Sequence, residues 1–533
     1  MSWSWYVLRA SLCVWALSFV VITLTPSVAT GAPVVLRKGN GSEPATIDPA
    51  LATGEIERNV INSLFEGLIQ KDPAGKNVPG VALTWDESKD RLTYTFHLRK
   101  NAKWSNGDPV TAGDFVYSWR RLLDPKTASS YAYQGFYIKG AKAFNSGKEK
   151  DPNTIGVKAL DPHTLQVTLE EPTPFFIGLL FHYSLYPVHQ ATVEKFGDRW
   201  TRPENIVSNG AFVLDKWEVN RLIRVKKSPT YWDTAIVKLD AVEFYPVENL
   251  DTEEKMFRTK QLDITMRLPI EKVPFWKKDK SGVFQSDRIL ATYLYRLNVK
   301  KKPLDDKRVR QALSYAIDRK RIVELVTRGN ETPATAWTPP GTGGGYDPGE
   351  ILPSDGRRIP EAKKLLAAAG YPNGKGMPEI EILYNTAENH RKIAEAVQQM
   401  WKQNLGIEVK LFNQEWKVYL DSMKTGNYTV ARYTWNADYN DPNTFLDMWM
   451  TKSTLNETNW GNAKYDELIV AASKESNPAK RMKHFKDAEA ILLDEMPIIP
   501  VYFWSVNYLK SPQVKNYVGN LEDDHALKWV SKE

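Results

Sequence analysis

Leu92-Thr93-Tyr94-Thr95-Phe96-His97-Leu98-Arg99 leads into Ser105-Asn106-Gly107-Asp108-Pro109 and then Thr111-Ala112-Gly113-Asp114-Phe115-Val116-Tyr117-Ser118-Trp119. Tyr94, Phe96 and Leu98 alternate with polar residues, the period of a half-buried strand. Asn-Gly and Asp-Pro mark a turn. Thr111 with Asp114 three positions on forms a capping box, which predicts a helix through Leu123. Strand, turn and helix in one short run define an α/β unit.

The same grammar continues downstream. Val309, Leu313, Ala316 and Ile317 recur at helical spacing, and Asp318 is placed to cap a second helix running to Arg328. Pro360 suits a first helical position, with Gly370 and Pro372 closing that helix. Ile393, Val397, Met400 and Trp401 share one face of a helix predicted over 387–404. Ile407, Val409 and Leu411 then alternate in a strand over 407–412, and 338–350 is a Gly/Pro-rich loop. No internal repeat and no long low-complexity linker interrupts the pattern.

The N-terminus carries one charge, Arg9, before an apolar stretch from Ala10 to Leu24 and a small-residue Ser27-Val28-Ala29. That order reads as a signal peptide over 1–29, with a second cleavage option after Ala32. The alternative is a membrane anchor, but Ser11, Thr23, Thr25 and Pro26 thin the apolar run. Cys13 is the only cysteine and lies within this segment. A processed chain would have no thiol, hence no disulfide, thiolate metal site or cysteine nucleophile. Export without disulfides points to a periplasm.

Removing 1–29 leaves about 500 residues, too many for one core; a length prior gives about three domains. Net charge is +7, with acids and bases interspersed as in Lys277-Lys278-Asp279-Lys280. This is a mixed solvated surface and excludes a nucleic-acid groove. Eighteen Trp and 24 Tyr fill cores, and also line sites that hold flexible organic ligands.

Motifs of chemistry are missing. Gly343-Gly344-Gly345 lacks the Gly-Lys-Ser/Thr of a phosphate loop, and no nucleophile elbow or His-Glu-x-x-His helix occurs. The seven histidines have no metal-ligand spacing; His182 and His189, seven apart, read as structural. No metal, no cofactor and no catalytic residue is assigned. A carboxylate pair of glycosidase type is unmarked in the sequence.

One stretch stands out: Trp435-Asn436-Ala437-Asp438-Tyr439-Asn440-Asp441-Pro442. A carboxylate among aromatics and short amides must be solvated, paired with a cation, or raised in pKa. Asp438 is therefore either a receptor for an ammonium group or a residue capping the turn at 440–442.

Five segments together resemble the periplasmic oligopeptide-binding proteins of ABC importers, extracellular solute-binding protein family 5. They are Phe65-Glu66-Gly67-Leu68; the 94–119 run quoted above; Ser208-Asn209-Gly210-Ala211-Phe212; Val309-Arg310-Gln311-Ala312-Leu313 with Asp318-Arg319; and Ile498-Ile499-Pro500-Val501-Tyr502. Gln414 to Lys417 and Arg432 to Asn440 look most like the oligopeptide binders within that family. The resemblance implies an α/β, two-lobed periplasmic binding fold with three domains and a hinge. It places domain I at 33–65, 189–290 and 505–533, inserted domain II at 66–188, and domain III at 291–504. Closure over a ligand would follow.

By the same resemblance Asp438 pairs with a peptide's α-ammonium. Trp435 and Trp416 line side-chain pockets, and Tyr131 stands near the amino end. Thr434 and Asn436 offer backbone groups to the peptide as an added strand. Arg432, Arg328 and His390 are candidates for its carboxylate, and Gly54 lies beside the first side-chain pocket. Two positions depart from the family pattern: Met423 replaces an arginine, and Thr53 stands near a glutamate position. The implied function is capture of short peptides and delivery to the permease and ATPase subunits of an importer, by a monomer with no nucleic-acid partner. A murein-peptide binder of the same family is the alternative, and a periplasmic hydrolase the alternative from another class.

Overall fold

The computed structural model describes residues 32–475 and 477–533. The signal segment 1–29 lies outside the described residues. Among those described, no helix is long and apolar enough to cross a membrane.

Three larger sheets organise the chain. The first orders Val35–Gly39, Ala241–Tyr245, Leu222–Lys227 and Phe212–Glu218 side by side. The second, antiparallel, orders Ala82–Glu87, Thr93–Leu98, Thr164–Thr168 and Val157–Asp161. The third has six strands in the order Thr332–Pro333, Ile498–Leu509, Phe284–Leu297, Val430–Asn436, Ile380–Asn385 and Val409–Gln414. Helices pack against these sheets, which is the α/β architecture expected from the strand–turn–helix pattern.

Most predicted elements form where their residues dictate. The helix Ala112–Leu123 opens on Thr111, whose N–H (2.7 Å) and hydroxyl (2.9 Å) both donate to Asp114 Oδ2. It buries Phe115, Trp119 and Leu122. Pro360 lies in the first turn of Ile359–Ala368, and the helix Glu388–Leu405 buries Ile393, Val397 and Trp401. Two elements differ. Asp318 caps only a single turn, Arg319–Arg321; the chain then widens into π-turns over Ile322–Thr327 and stops at Arg328 in the left-handed region, φ 55°. The 407–412 strand begins instead at Val409, because Gly406 at φ 71° closes the preceding helix and Ile407 N–H still donates to Trp401 O. A shift of two residues leaves Val409 and Leu411 on one face.

Phe284–Leu297 and Ile498–Leu509 are long antiparallel neighbours. Their register breaks between Arg288 and Thr292. Inside the break, Leu290 N–H donates to Leu521 O (2.6 Å) and Leu290 O accepts from Ala437 N–H (2.8 Å).

Distant segments are also pinned by buried charge. Glu66 accepts from Tyr231 OH (2.5 Å), Trp232 Nε1 (2.6 Å) and Lys528 Nζ (2.8 Å). Asp48 receives both guanidinium forks of Arg121 and the indole N–H of Trp200 (3.0 Å). Removing one partner of a buried ion pair leaves the other uncompensated. Lys528→Met is expected to lower unfolding stability by about 3–5 kcal/mol in urea titration; Lys528→Arg, which keeps the charge, should lower it less.

Candidate binding cleft

The site starts from an unequal strand. Val430–Asn436 pairs along its whole length with Ala291–Leu297. On its other side, Ile380–Asn385 pairs with it only at Ile382↔Val430 and Leu383↔Ala431. Tyr384 and Asn385 then stay with Asn413 and Gln414. Arg432–Asn436 is left as an open sheet edge, a template for a further strand.

At one end of this edge, Ala437 is tied to Leu290 and the next residue is Asp438. The loop is held from behind. Asp438 N–H donates to Thr444 Oγ1 (3.1 Å), and Asp441 accepts both forks of the buried Arg481 (2.7 and 2.8 Å). Asp441 Oδ1 also accepts from Asn443 N–H (2.9 Å). Asp441 thus organises the turn, and the Asp438 side chain is free to face the opposite wall.

That wall is built from the segment around Tyr131 and from His182. Asp438 Oδ2 accepts from Gln134 Nε2 (2.6 Å) and Tyr133 OH (3.1 Å). Oδ1 lies 3.4 Å from His182 Nε2. Ser184 N–H donates to His182 Nδ1 (3.3 Å), so the ring's proton sits on Nε2, facing the carboxylate. The Asp438 side chain is only 8% exposed. Burial, then the charge of Asp438, pushes the phenols of Tyr131, Tyr133 and Tyr183 well above their usual range, so they remain hydroxyl donors.

Donors gather at the other end. Arg432 spends Nη1 on Asn385 Oδ1 (3.0 Å) and Nη2 on Thr434 Oγ1 (2.5 Å), while its Nε is buried without a partner. The hydroxyls of Tyr293 and Tyr295 and His390 Nδ1 are buried and unpartnered as well. The guanidinium of Arg432 lies 5.0 Å from the Tyr293 ring centre, and His390 lies 5.8 Å from it. Burial, then the positive charges of Arg432 and Arg267, holds His390 well below its usual pKa. These groups together suit an anion.

The side wall brings together residues far apart in sequence. Trp416, the first residue of Trp416–Lys424, donates weakly to Glu57 Oε1 (3.4 Å) and stacks on Tyr419 at 5.8 Å. Gly54 lies against both: a Cβ there would fall 2.2 Å from Glu57 Oε2 and 3.0 Å from Trp416 Cζ2. Burial raises the Glu57 pKa, and its Oε2 has no partner. Met423 is 2% exposed, in an apolar cluster with Leu383, Tyr419, Tyr428 and Ala431.

The structure brings Asp438, Asn436, Thr434, Arg432, His390, Trp416, Gly54 and Tyr131 together, with one departure. Arg328 is exposed on the outer surface, its Nε donating to Leu325 O (2.9 Å), because the π-turn ends there in a left-handed residue. Trp435 is 3% exposed, on the strand face opposite the side chains of Thr434 and Asn436, with its Nε1 buried and unpartnered. Tyr131 stacks near Tyr133 and His182, but the hydroxyl on the carboxylate is that of Tyr133. Tyr133, Gln134 and His182 were not legible as site residues; His182, read as structural, contacts Asp438 directly. A polar run following Tyr131 was the only signal.

The cleft walls also touch each other directly. Phe175 stacks on Tyr439 at 4.8 Å and 6°. Tyr137 OH donates to Asp447 Oδ2 (2.9 Å), which also accepts from Asn443 Nδ2 (2.8 Å). Thr454 Oγ1 donates to Ser130 O (2.8 Å).

A family model for bacterial extracellular solute-binding proteins, family 5, matches residues 76–457. The periplasmic oligopeptide-binding protein OppA of Salmonella typhimurium is 43% identical over 489 residues, 91% of this chain and 90% of that protein. The structure of the Escherichia coli murein tripeptide binding protein MppA superposes with a TM-score of 0.90 at 41% identity, covering 94% of this chain and 98% of that one. The unliganded open form of MppA, 40% identical and covering 94% and 97%, superposes at only 0.64. The two superpositions differ although the identities are nearly equal. The chain belongs to the bacterial extracellular solute-binding proteins of family 5. Its fold and cleft define a two-lobed solute-binding protein.

Asp447 yields a pH prediction. Burial first, then the charges of Asp438 and Asp441, pushes its carboxyl from 3.8 to about 8, against the opposing hydrogen bond from Tyr137. The folded state therefore holds a proton that the unfolded state has lost, and this contribution to stability declines as pH rises through that window. Asp447→Asn, which keeps the acceptor for Tyr137, is expected to gain on the wild type by a few degrees in thermal midpoint toward the alkaline end. Parallel pH profiles would contradict it.

Proposed function

We propose that this chain captures short peptides in a periplasm and hands them to the permease and ATPase subunits of an ABC importer, acting as a monomer. The observation that carries the reading is the open Arg432–Asn436 edge, with buried Asp438 at one end and the unpartnered donors of Arg432, His390, Tyr293 and Tyr295 at the other. Four strand steps span about 13 Å, the scale of an extended tri- or tetrapeptide. Backbone pairing along the edge ignores side-chain identity; the two ends read the charges every free peptide carries. The names of the OppA relatives agree. The lobe assignment proposed is 33–65, 189–290 and 505–533 with 66–188 inserted, against 291–504. No chemical step is required of any residue.

A murein-peptide reading has one specific support. Met423 gives the cleft-side helix an apolar residue where an arginine would offer a carboxylate partner, and MppA is itself 42% identical. A preference for cell-wall tripeptide over its all-L analogue in calorimetry would favour that ligand class.

Calorimetry on the wild type is expected to show binding of unmodified tri- to pentapeptides of varied sequence. N-acetylation should weaken binding about a hundredfold, because a buried carboxylate then has no cation. Asp438→Asn should reduce affinity for free peptides while narrowing their advantage over acetylated ones. Equal affinity of the wild type for both forms would refute the role of Asp438, and turnover of peptide or glycan in the cell would point to a hydrolase.

A further inference from the structure

Gln134 is spent on one side only. Its Nε2 hydrogens go to Asp438 Oδ2 (2.6 Å) and Tyr133 OH (3.2 Å). Turning the amide over would set Oε1 against a carboxylate oxygen, so the assignment is fixed by its neighbours. Oε1 is then a buried acceptor with no donor, on a side chain 1% exposed. Asp438 shows the same imbalance: Oδ2 takes two donors, while Oδ1 has only His182 Nε2 at 3.4 Å.

The unfilled hydrogen-bonding capacity of these two side chains therefore consists of acceptors alone. An unpaired buried acceptor costs about 1–3 kcal/mol, so the pocket calls for a ligand group carrying more than one N–H. Amide bond lengths put Oε1 within about 5 Å of Asp438 Oδ2. One nitrogen can reach an oxygen of each residue from between them at ordinary hydrogen-bond length.

We infer that Gln134 Oε1 is a second acceptor for the ligand's terminal ammonium, and that it selects ammonium groups with at least two N–H over tertiary ones. This rests on the peptide reading above. A tertiary ammonium carries one N–H and can serve only one of these two side chains; an ammonium with two or more can serve both. Gln134 is thus a specificity residue for the nitrogen's substitution, distinct from Asp438, which reads its charge.

The test is calorimetry with trialanine, N-methyl-trialanine and N,N-dimethyl-trialanine on the wild type and on Gln134→Met. For the wild type, the step from monomethyl to dimethyl should cost about tenfold or more. In Gln134→Met all three should bind more weakly, with that step shrinking to within about threefold. An unchanged step would overturn the inference and leave Gln134 as a support for Asp438. No binding of trialanine by the wild type would overturn the peptide reading, and this inference with it. Should Gln134→Met fail to fold by thermal melt, Gln134→Ser in the same series gives the same two outcomes.

Discussion

Every other feature of the cleft depends on one break in a ladder. Between Arg288 and Thr292 the long strands Phe284–Leu297 and Ile498–Leu509 fall out of register. Buried backbone groups freed there need partners. Leu290 finds them on opposite sides: its N–H at Leu521 and its carbonyl at Ala437. The residue following Ala437 is Asp438. Leu521 and the charged end of the site are thus tied to one residue, Leu290, and the Ala437 N–H that bonds it lies one residue from the carboxylate.

Charge in this cleft is managed by spacing and by protonation. The side chains of Asp438 and Asp447 are both buried, and the charge of Asp438 adds to the burial that raises the Asp447 carboxyl. Asp438 is surrounded by three donors, whereas Asp447 has Tyr137 and Asn443 and one unpartnered oxygen. Burial, the largest cause, raises the Asp447 carboxyl to about 8, against the hydrogen bond from Tyr137, so it takes up a proton. At the opposite end His390 gives up charge beside Arg432 for the same reason with the sign reversed.

Much of this was legible in the sequence because it rests on local rules. The capping box at Thr111 and Asp114, the alternation at Tyr94 and Phe96, and the apolar face of 388–405 need no tertiary information. Asp438, Arg432 and His390 came from motif resemblance, and the structure gathers them at one cleft. Arg328 failed because a π-turn, set by packing, rotates it outward. Gln134 and His182 stayed hidden since their role is created by a contact between residues separated by hundreds of positions, and no spacing rule reaches across such a gap.

The far end of the chain bears on how the protein comes into being. Residues 521–532 are laid across several elements: Leu521 bonds Leu290, Glu522 pairs with Lys71, Arg58 Nη2 donates to Asp523 O (2.8 Å), and Lys532 Nζ reaches Val35 O (3.0 Å). A chain made from its N-terminus presents Val35, Arg58 and Lys71 long before these partners exist. Pairings of such long separation form late. The earliest segments therefore stay unfinished through nearly the whole of synthesis, open to whatever machinery handles incomplete chains, and become native only when the last-made segment is laid over them.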